Sequence, residues 1–179
     1  GPGAVVINTR VTLVDSDSIA IVYQDFLSAA SGEFQVYNID GTQETSPQNF
    51  DTSGANNFGV STVDSDSIAI SFNDTTTTAG QLTVYNIDGT QELAPTNFEP
   101  DTVSYTSIVT LPNDEVAISY SDGGDSSKGK FVVYNIDGTE VLAPTEFEGG
   151  TTVYTSIAQM DADTVAIAYA DDSDSSKGK

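Results

Sequence analysis

The sequence predicts an all-β fold of tandem four-stranded antiparallel blades, a β-propeller or propeller-like repeat array of three full blades and a half. Three observations lead there. The block Val-Tyr-Asn-Ile-Asp-Gly-Thr occurs unchanged at Val36–Thr42, Val84–Thr90 and Val133–Thr139, 48 and 49 residues apart. A fixed period of this size marks one supersecondary unit copied along the chain. Apolar residues between these blocks alternate with period two, the signature of half-buried strands. Each copy also ends in a segment containing a proline, at Pro47, Pro95 and Pro144. Proline lacks a ladder donor, so these segments belong at a sheet edge. The 179 residues form a single repeat domain with units of about 4–50, 51–98, 99–147 and a partial 148–179. Gly1-Pro2-Gly3 reads as a protease-cleavage remnant.

Each unit carries four strand signals, a to d. Strand a is the least regular: Arg10–Val14, Gly59–Val63, Ser107–Leu111 and Ser156–Met160. It leads into a short acidic turn whose third position is Asp in all four units, at Asp17, Asp66, Asp114 and Asp163. Asp suits such turns because its carboxylate bonds nearby backbone amides. Strand b reads Ile19–Tyr23, Ile68–Phe72, Val116–Tyr120 and Val165–Tyr169. Its alternation puts Ile, Val and an aromatic ring on one face and Ala, Ser or Val on the other. A bulky face opposite a nearly bare one suits stacked sheets, each filling the hollow of the next. Strand c, Phe34–Ile39, Leu82–Ile87 and Phe131–Ile136, runs into Asp-Gly, a hairpin turn signal. Strand d, Thr42–Phe50, Thr90–Phe98 and Thr139–Phe147, carries the proline and becomes the outer edge, leaving a as the inner strand.

Asp163-Thr164-Val165-Ala166-Ile167-Ala168-Tyr169, together with Phe131-Val132-Val133-Tyr134-Asn135-Ile136-Asp137-Gly138-Thr139, carries a family resemblance. The pattern resembles β-propeller-like tandem repeats, roughly fifty residues each, of large secreted or surface-attached bacterial proteins. The resemblance implies an extracellular or cell-surface location and a module belonging to a larger exported protein. The fourth unit reaches Lys179 without strands c and d, so the chain is expected to be a piece of a longer array or to self-associate through the incomplete blade. An open b-strand edge is a template for such pairing.

Composition narrows the function classes. Acidic residues number 27 against five basic ones, a net charge of −22. Such a surface repels phosphate backbones and anionic lipid, so neither nucleic acid nor membrane insertion is expected. Cysteine, histidine and tryptophan are absent, which excludes disulfides, Cys/His zinc sites and imidazole or thiolate catalysis.

Strand direction places the a–b and c–d turns at one end of each unit and the b–c loops and d–a links at the other. The b–c loops vary most between copies, and loops on a rigid scaffold are where recognition resides. Asp122 and Asp125, with Asp171, Asp172 and Asp174, are the densest carboxylate groups there. They are the candidate metal ligands, with calcium as the cation, since calcium takes six to eight oxygens. No cofactor is otherwise required. The EF-hand spacing and the glycine-rich calcium nonapeptide are both missing. No acidic residue of fixed register sits within an apolar strand where its pKa would rise, so no catalytic residue is assigned and the chain is not expected to be an enzyme. The recurring tyrosines Tyr23, Tyr120, Tyr169, Tyr37, Tyr85 and Tyr134 fall in register with Ile and Val and are expected to pack in the core. The sequence therefore reads as a non-enzymatic structural or adhesive module offering loops to a glycan or protein ligand. The alternative is a multivalent glycan-binding lectin, and a third reading is a fragment of a glycan-processing enzyme.

Overall fold

A computed structural model describes residues 5–179; Gly1-Pro2-Gly3, read above as a cleavage remnant, lies outside the described residues. The chain is all-β. The first four-stranded sheet has the order β1 (Val6–Leu13), β2 (Ser18–Asp25), β3 (Ser31–Asn38), β4 (Gln48–Asp51). The second is β5 (Ala55–Thr62), β6 (Ser67–Asp74), β7 (Ala79–Asn86), β8 (Gln91–Glu99). The third begins with β9 (Val103–Leu111), β10 (Glu115–Asp122) and β11 (Lys128–Asn135), then continues through the 20-residue β12 (Glu140–Gln159) to β13 (Val165–Asp171) and the short β14 (Lys177–Gly178). Every pairing is antiparallel and follows chain order, so each unit is a meander.

The bulky and bare faces mesh as the alternation requires. Ala20, Val22, Phe34 and Val36 of the first sheet share one buried cluster with Ile68, Ile70, Phe72 and Tyr85 of the second. Ala69, Leu82 and Val84 on the other side of the second sheet meet Val116, Ile118, Tyr120 and Tyr134 of the third. Inner strands touch in succession, β1 with β5, β5 with β9 and β9 with β12, whereas no two d segments make a comparable contact. Hydroxyls zip these inner strands together. Ser61 and Thr110 lie 2.9 Å apart through their hydroxyls, Thr110 Oγ1 donates to Thr62 O at 2.6 Å, and Ile157 N donates to Ser107 Oγ at 3.2 Å.

Three elements depart from the sequence expectation. Strand a starts about four residues earlier than its alternation shows, because one residue per unit leaves the β region. Asn8, Asn57, Tyr105 and Tyr154 occupy the same unit position with φ of 54°, 54°, 53° and 56°. The ladder slips at each of them, between Ile7/Arg10, Asn56/Gly59, Ser104/Ser107 and Val153/Ser156. Second, the d segment of unit 1 is only β4 plus an isolated Tyr37–Gln43 bridge. Thr45 stands where Leu93 and Leu142 pair with strand c in the later units, and its hydroxyl turns away to the Ile87 carbonyl. Third, d of unit 3 and a of unit 4 are one strand. Residues of β12 up to Thr151 pair with β11, and those from Thr152 on pair with β13.

A glycine–phenylalanine pair fixes each outer edge. A Cβ on Gly32, Gly80 or Gly129 would lie 2.4, 2.7 or 2.5 Å from the ring of Phe50, Phe98 or Phe147. Each ring then meets the b-strand aromatic of the next unit, with centroids 5.2 Å apart for Phe50–Phe72, 5.2 Å for Phe98–Tyr120 and 5.1 Å for Phe147–Tyr169. The phenylalanine thus carries packing from its own sheet to the next. Gly80→Ala should cost about 1–3 kcal/mol by overpacking, since Val103 also stands 2.8 Å from the added carbon. Shortening the ring with Phe98→Leu in the same chain should return part of that loss in a urea melt. Equal midpoints for the single and double variants would show that the ring is not what excludes the methyl group.

Candidate functional site

The end of the units that carries the b–c loops gathers the charged side chains. Its geometry begins with an aspartate closing strand b in every unit. Asp25 accepts the Leu27 amide at 3.0 Å, Asp74 that of Thr76 at 2.8 Å, Asp122 that of Gly124 at 2.8 Å and Asp171 that of Ser173 at 3.0 Å. In units 3 and 4 the following residues form short 3₁₀ turns, Gly123–Asp125 and Asp172–Asp174, capped by Asp122 and Asp171.

The metal candidates fall into two separate groups. In the first, Asp122 Oδ2 receives Lys130 Nζ at 2.6 Å, and Asp125 pairs with Lys128 at 3.2 Å and Lys130 at 3.0 Å. In the second, Asp171 Oδ2 receives Lys179 Nζ at 2.6 Å, Asp174 pairs with Lys177 at 2.9 Å, and Asp172 accepts the Ser176 hydroxyl. These carboxylates are engaged by lysines and backbone amides. The cluster best shaped for a cation includes two residues outside the expected set: carboxylate oxygens of Glu99, Asp101 and Asp122 lie within 4.8 Å of one another.

Glu99 and Glu148 end strand d directly after the packing phenylalanine, and each reaches a tyrosine of the next unit. Tyr120 OH donates to Glu99 Oε2 at 3.0 Å, and Tyr169 OH donates to Glu148 Oε2 at 2.9 Å. Lys179 also bridges to Glu148 at 3.3 Å. The result is a Tyr–Glu–Lys–Asp cluster across each of the last two unit boundaries. At the first boundary Asp51 stands in the glutamate position, Phe72 in the tyrosine position and Gln81 in the lysine position. The hydroxyl and its acceptor are therefore lost together. Burial raises the pKa of Glu99, and burial with the adjacent Glu99 charge raises that of Tyr120. Contact with the Lys179 ammonium, helped by the Ser173 hydroxyl, lowers Asp171 to about 2.

The opposite end holds the turn acids. Asp15 accepts the amides of Asp17 and Ser18 at 2.9 and 2.8 Å. Asp40, Asp88 and Asp137 accept those of Thr42, Thr90 and Thr139, each at 2.8 Å. The third-position carbonyls of Asp17, Asp66 and Asp114 accept the amides of Ile39, Ile87 and Ile136 at 2.8 Å, tying the a–b turn to strand c. Backbone amides lower the pKa of Asp15, Asp88 and Asp137.

These shifts set the acid limb of stability. A carboxylate with a depressed folded pKa stabilises the fold above its unfolded value, 3.8 for Asp, and that support is lost as pH falls through the folded pKa. Glu99, whose folded pKa is raised, acts in the opposite sense and favours the fold when protonated. Asp66, raised by its hydrogen bond and like charge with Asp64, acts in the same sense as Glu99. With these two raised groups against several depressed ones, the melting temperature should fall between about pH 4 and pH 2. Asp171→Asn should flatten part of that limb. A melting temperature still climbing below pH 3 would mean that relief of net charge outweighs the loss of these bonds.

Tyr105 and Tyr154, which the sequence reading left out, pair with their rings 5.0 Å apart; Tyr105 is half-buried and Tyr154 is 71% exposed. Of the six recurring tyrosines expected in the core, Tyr23, Tyr85, Tyr120 and Tyr134 are buried, whereas Tyr37 and Tyr169 are only half-buried. The missed signal was the shared unit position of Asn8, Asn57, Tyr105 and Tyr154, hidden because two residue types fill it.

No protein-family model and no characterised protein sequence matches the chain. Solved structures do share its fold. A protein of unknown function from Dyadobacter fermentans superposes with a TM-score of 0.63 at 16% identity, covering 86% of this chain and 46% of that one. The Hadza microbial sialidase Hz136 gives 0.63 at 11% identity, with 94% and 42% covered. An α-L-arabinofuranosidase from Lactobacillus brevis gives 0.51 at 11% identity, with 95% and 67% covered. The chain spans less than half the length of the first two. At such identities the likeness concerns the fold alone. Among the described residues no helix is long and apolar enough to cross a membrane.

Proposed function

We propose that the chain is a non-enzymatic adhesive or structural module whose units radiate as propeller blades, part of a larger exported protein, with the b–c loops as its ligand-binding end. The blade reading rests on inner strands that touch in sequence while outer strands do not, which is the shape of a wedge. The observation that carries the functional reading is the use made of the acids. Asp122 and Asp171 hold loops and lysines, and Glu99 and Glu148 hold tyrosines across unit boundaries. Acids spent on shaping loops suit a display surface better than a reaction centre. An extracellular or surface setting fits an acidic chain without cysteine. Calcium would compete with Lys130 for the Glu99–Asp101–Asp122 oxygens and is not needed by this reading.

A second reading, glycan binding, is favoured by Tyr154, whose exposed ring beside the half-buried Tyr105 offers a stacking face to sugars. A glycan array, paired with assays on sialoside and arabinofuranoside substrates, separates the possibilities. Binding lost in Tyr154→Ala would establish the lectin. Turnover abolished by Glu99→Gln would replace the adhesive reading with an enzymatic one.

A further inference from the structure

In unit 3 an amine nucleophile is pressed against a carboxyl group inside the sheet. Lys130 Nζ lies 2.6 Å from Asp122 Oδ2, and the two side chains are only 17% and 4% exposed. Both sit on adjacent antiparallel strands, Lys130 opposite the buried Tyr120 and Asp122 opposite Lys128. The other oxygen, Asp122 Oδ1, accepts the backbone amides of Gly124 at 2.8 Å and Asp125 at 3.3 Å. A second carboxyl group, that of Glu99, brings an oxygen within 4.8 Å of Asp122, and Tyr120 OH fixes its Oε2 at 3.0 Å. Nucleophile, carbonyl carbon, paired amide donors and a proton carrier are thus gathered in one place.

We propose that Lys130 and Asp122 join through a side-chain amide, an intramolecular isopeptide bond that closes the 123–129 loop covalently. The ammonium passes one proton to Asp122 Oδ2, and the freed amine attacks Cγ. As the Nζ–Cγ bond forms, negative charge moves onto Oδ1, where the Gly124 and Asp125 amides already point as donors to a tetrahedral oxyanion. Glu99 takes a second proton from the nitrogen and hands it to Oδ2. The Cγ–Oδ2 bond breaks, Oδ2 leaves as water, the amide keeps one hydrogen, and Glu99 returns to its starting form. One ammonium and one carboxylate become one neutral amide and one water, so no further reactant is consumed. Asp101, the exposed member of the acidic group, opens the site to solvent for the departing water.

The sheet holds the reactants side by side, which replaces an encounter by an oriented intramolecular step. The product also removes two charges that burial deprives of hydration. Contact with Asp122 raises the pKa of Lys130, so the pair is ionic at rest; the ionic properties of these residues are those of the chain before it reacts. The other units define what the step needs. Gln81 stands at the lysine position in unit 2, 3.4 Å from Asp74, and Glu33 stands there in unit 1, so neither offers an amine. Unit 4 repeats the set, with Lys179 at 2.6 Å from Asp171 and 3.3 Å from Glu148. A covalently closed loop is held in one shape whatever it binds, which lowers the ordering cost of any ligand.

Mass spectrometry of the folded chain reads the bond directly, and with no cysteine present no disulfide disturbs the mass. The intact protein should weigh less than its sequence by at least one water. After trypsin cleaves behind Lys128, the peptide carrying Asp122 should remain joined to the one carrying Lys130. Lys130→Arg keeps the positive charge but cannot form the amide, so its deficit should shrink by one water. Asp122→Asn should release ammonia instead and yield a joined pair of the same mass as the wild type. Glu99→Gln, with an unchanged circular dichroism spectrum, should form the bond about a hundredfold more slowly, the usual contribution of a positioned proton carrier. A wild-type chain at its full sequence mass, or separate Asp122 and Lys130 peptides, would overturn the proposal. So would a deficit that hydroxylamine removes, since that would assign the lost water to a cyclised Asp-Gly turn such as Asp88-Gly89.

Discussion

Phe72→Ala should cost about 3–5 kcal/mol, the usual penalty for emptying a fully buried aromatic site. Phe72 has no exposed surface, meets Phe50 at 5.2 Å between ring centroids, and belongs to the cluster that joins the first two sheets. A chain of this length holds only about 5–15 kcal/mol in total, so the variant should unfold at a much lower urea concentration. The informative companion is Phe72→Tyr. Units 3 and 4 place tyrosine here because a glutamate from the preceding unit accepts its hydroxyl. Unit 1 supplies Asp51, one methylene shorter. Phe72→Tyr alone should therefore be destabilising by about 1–3 kcal/mol through an unsatisfied hydroxyl, and Asp51→Glu added to it should recover most of the loss. Denaturant midpoints of the two singles and the double give the coupling directly. Strict additivity would show that the Tyr–Glu pair is not a transferable part of the joint.

The same pair shows what was legible in the chain and what was hidden. Strand b announced itself, because Ile68, Ile70 and Phe72 alternate with small residues and the two faces have opposite appetites for volume. The Asp-Gly turns were legible for a local reason: Gly41, Gly89 and Gly138 take φ of 89°, 95° and 87°, and the preceding aspartate bonds forward by two residues. The a strands were half visible. Their αL residue breaks period two at its own position, so the alternation on its far side looks like loop. Glu99 and Tyr120 were readable singly but not as partners, since they lie 21 residues apart on different units. Only aligning the Phe-Glu ends of strand d with the aromatics of the next strand b would have joined them. The metal reading was drawn from proximity in sequence, which does not show what each carboxylate meets in space. Asp122 and Asp171 stand in dense acidic loops, yet each points into its loop as a cap and meets the second lysine of the Lys-Gly-Lys run that follows, Lys130 or Lys179.

That lysine makes the second large effect. Lys130→Met should cost about 3 kcal/mol, since removing one partner of a buried ion pair leaves the other charge uncompensated. The side chain of Asp122 is 4% exposed and that of Lys130 17%, and Glu99 lies beside them at 6%. In the wild type the ammonium group sits 2.6 Å from Asp122 Oδ2 and supplies the positive charge that these oxygens need. Chelation should accordingly leave the wild-type melting temperature where it is. Without the ammonium, Glu99, Asp101 and Asp122 become three carboxylates within 4.8 Å and nothing to balance them. Calcium added to Lys130→Met should then raise its melting temperature, because hard cations take clustered carboxylate oxygens and binding only the folded chain stabilises it. Sodium at matched ionic strength is the control for screening. Asp122→Asn in the same chain should remove both the penalty and the calcium response. A wild-type melting temperature that drops with chelator would reverse the assignment: the cluster would then hold a cation in the native protein, with Lys130 beside it rather than in its place.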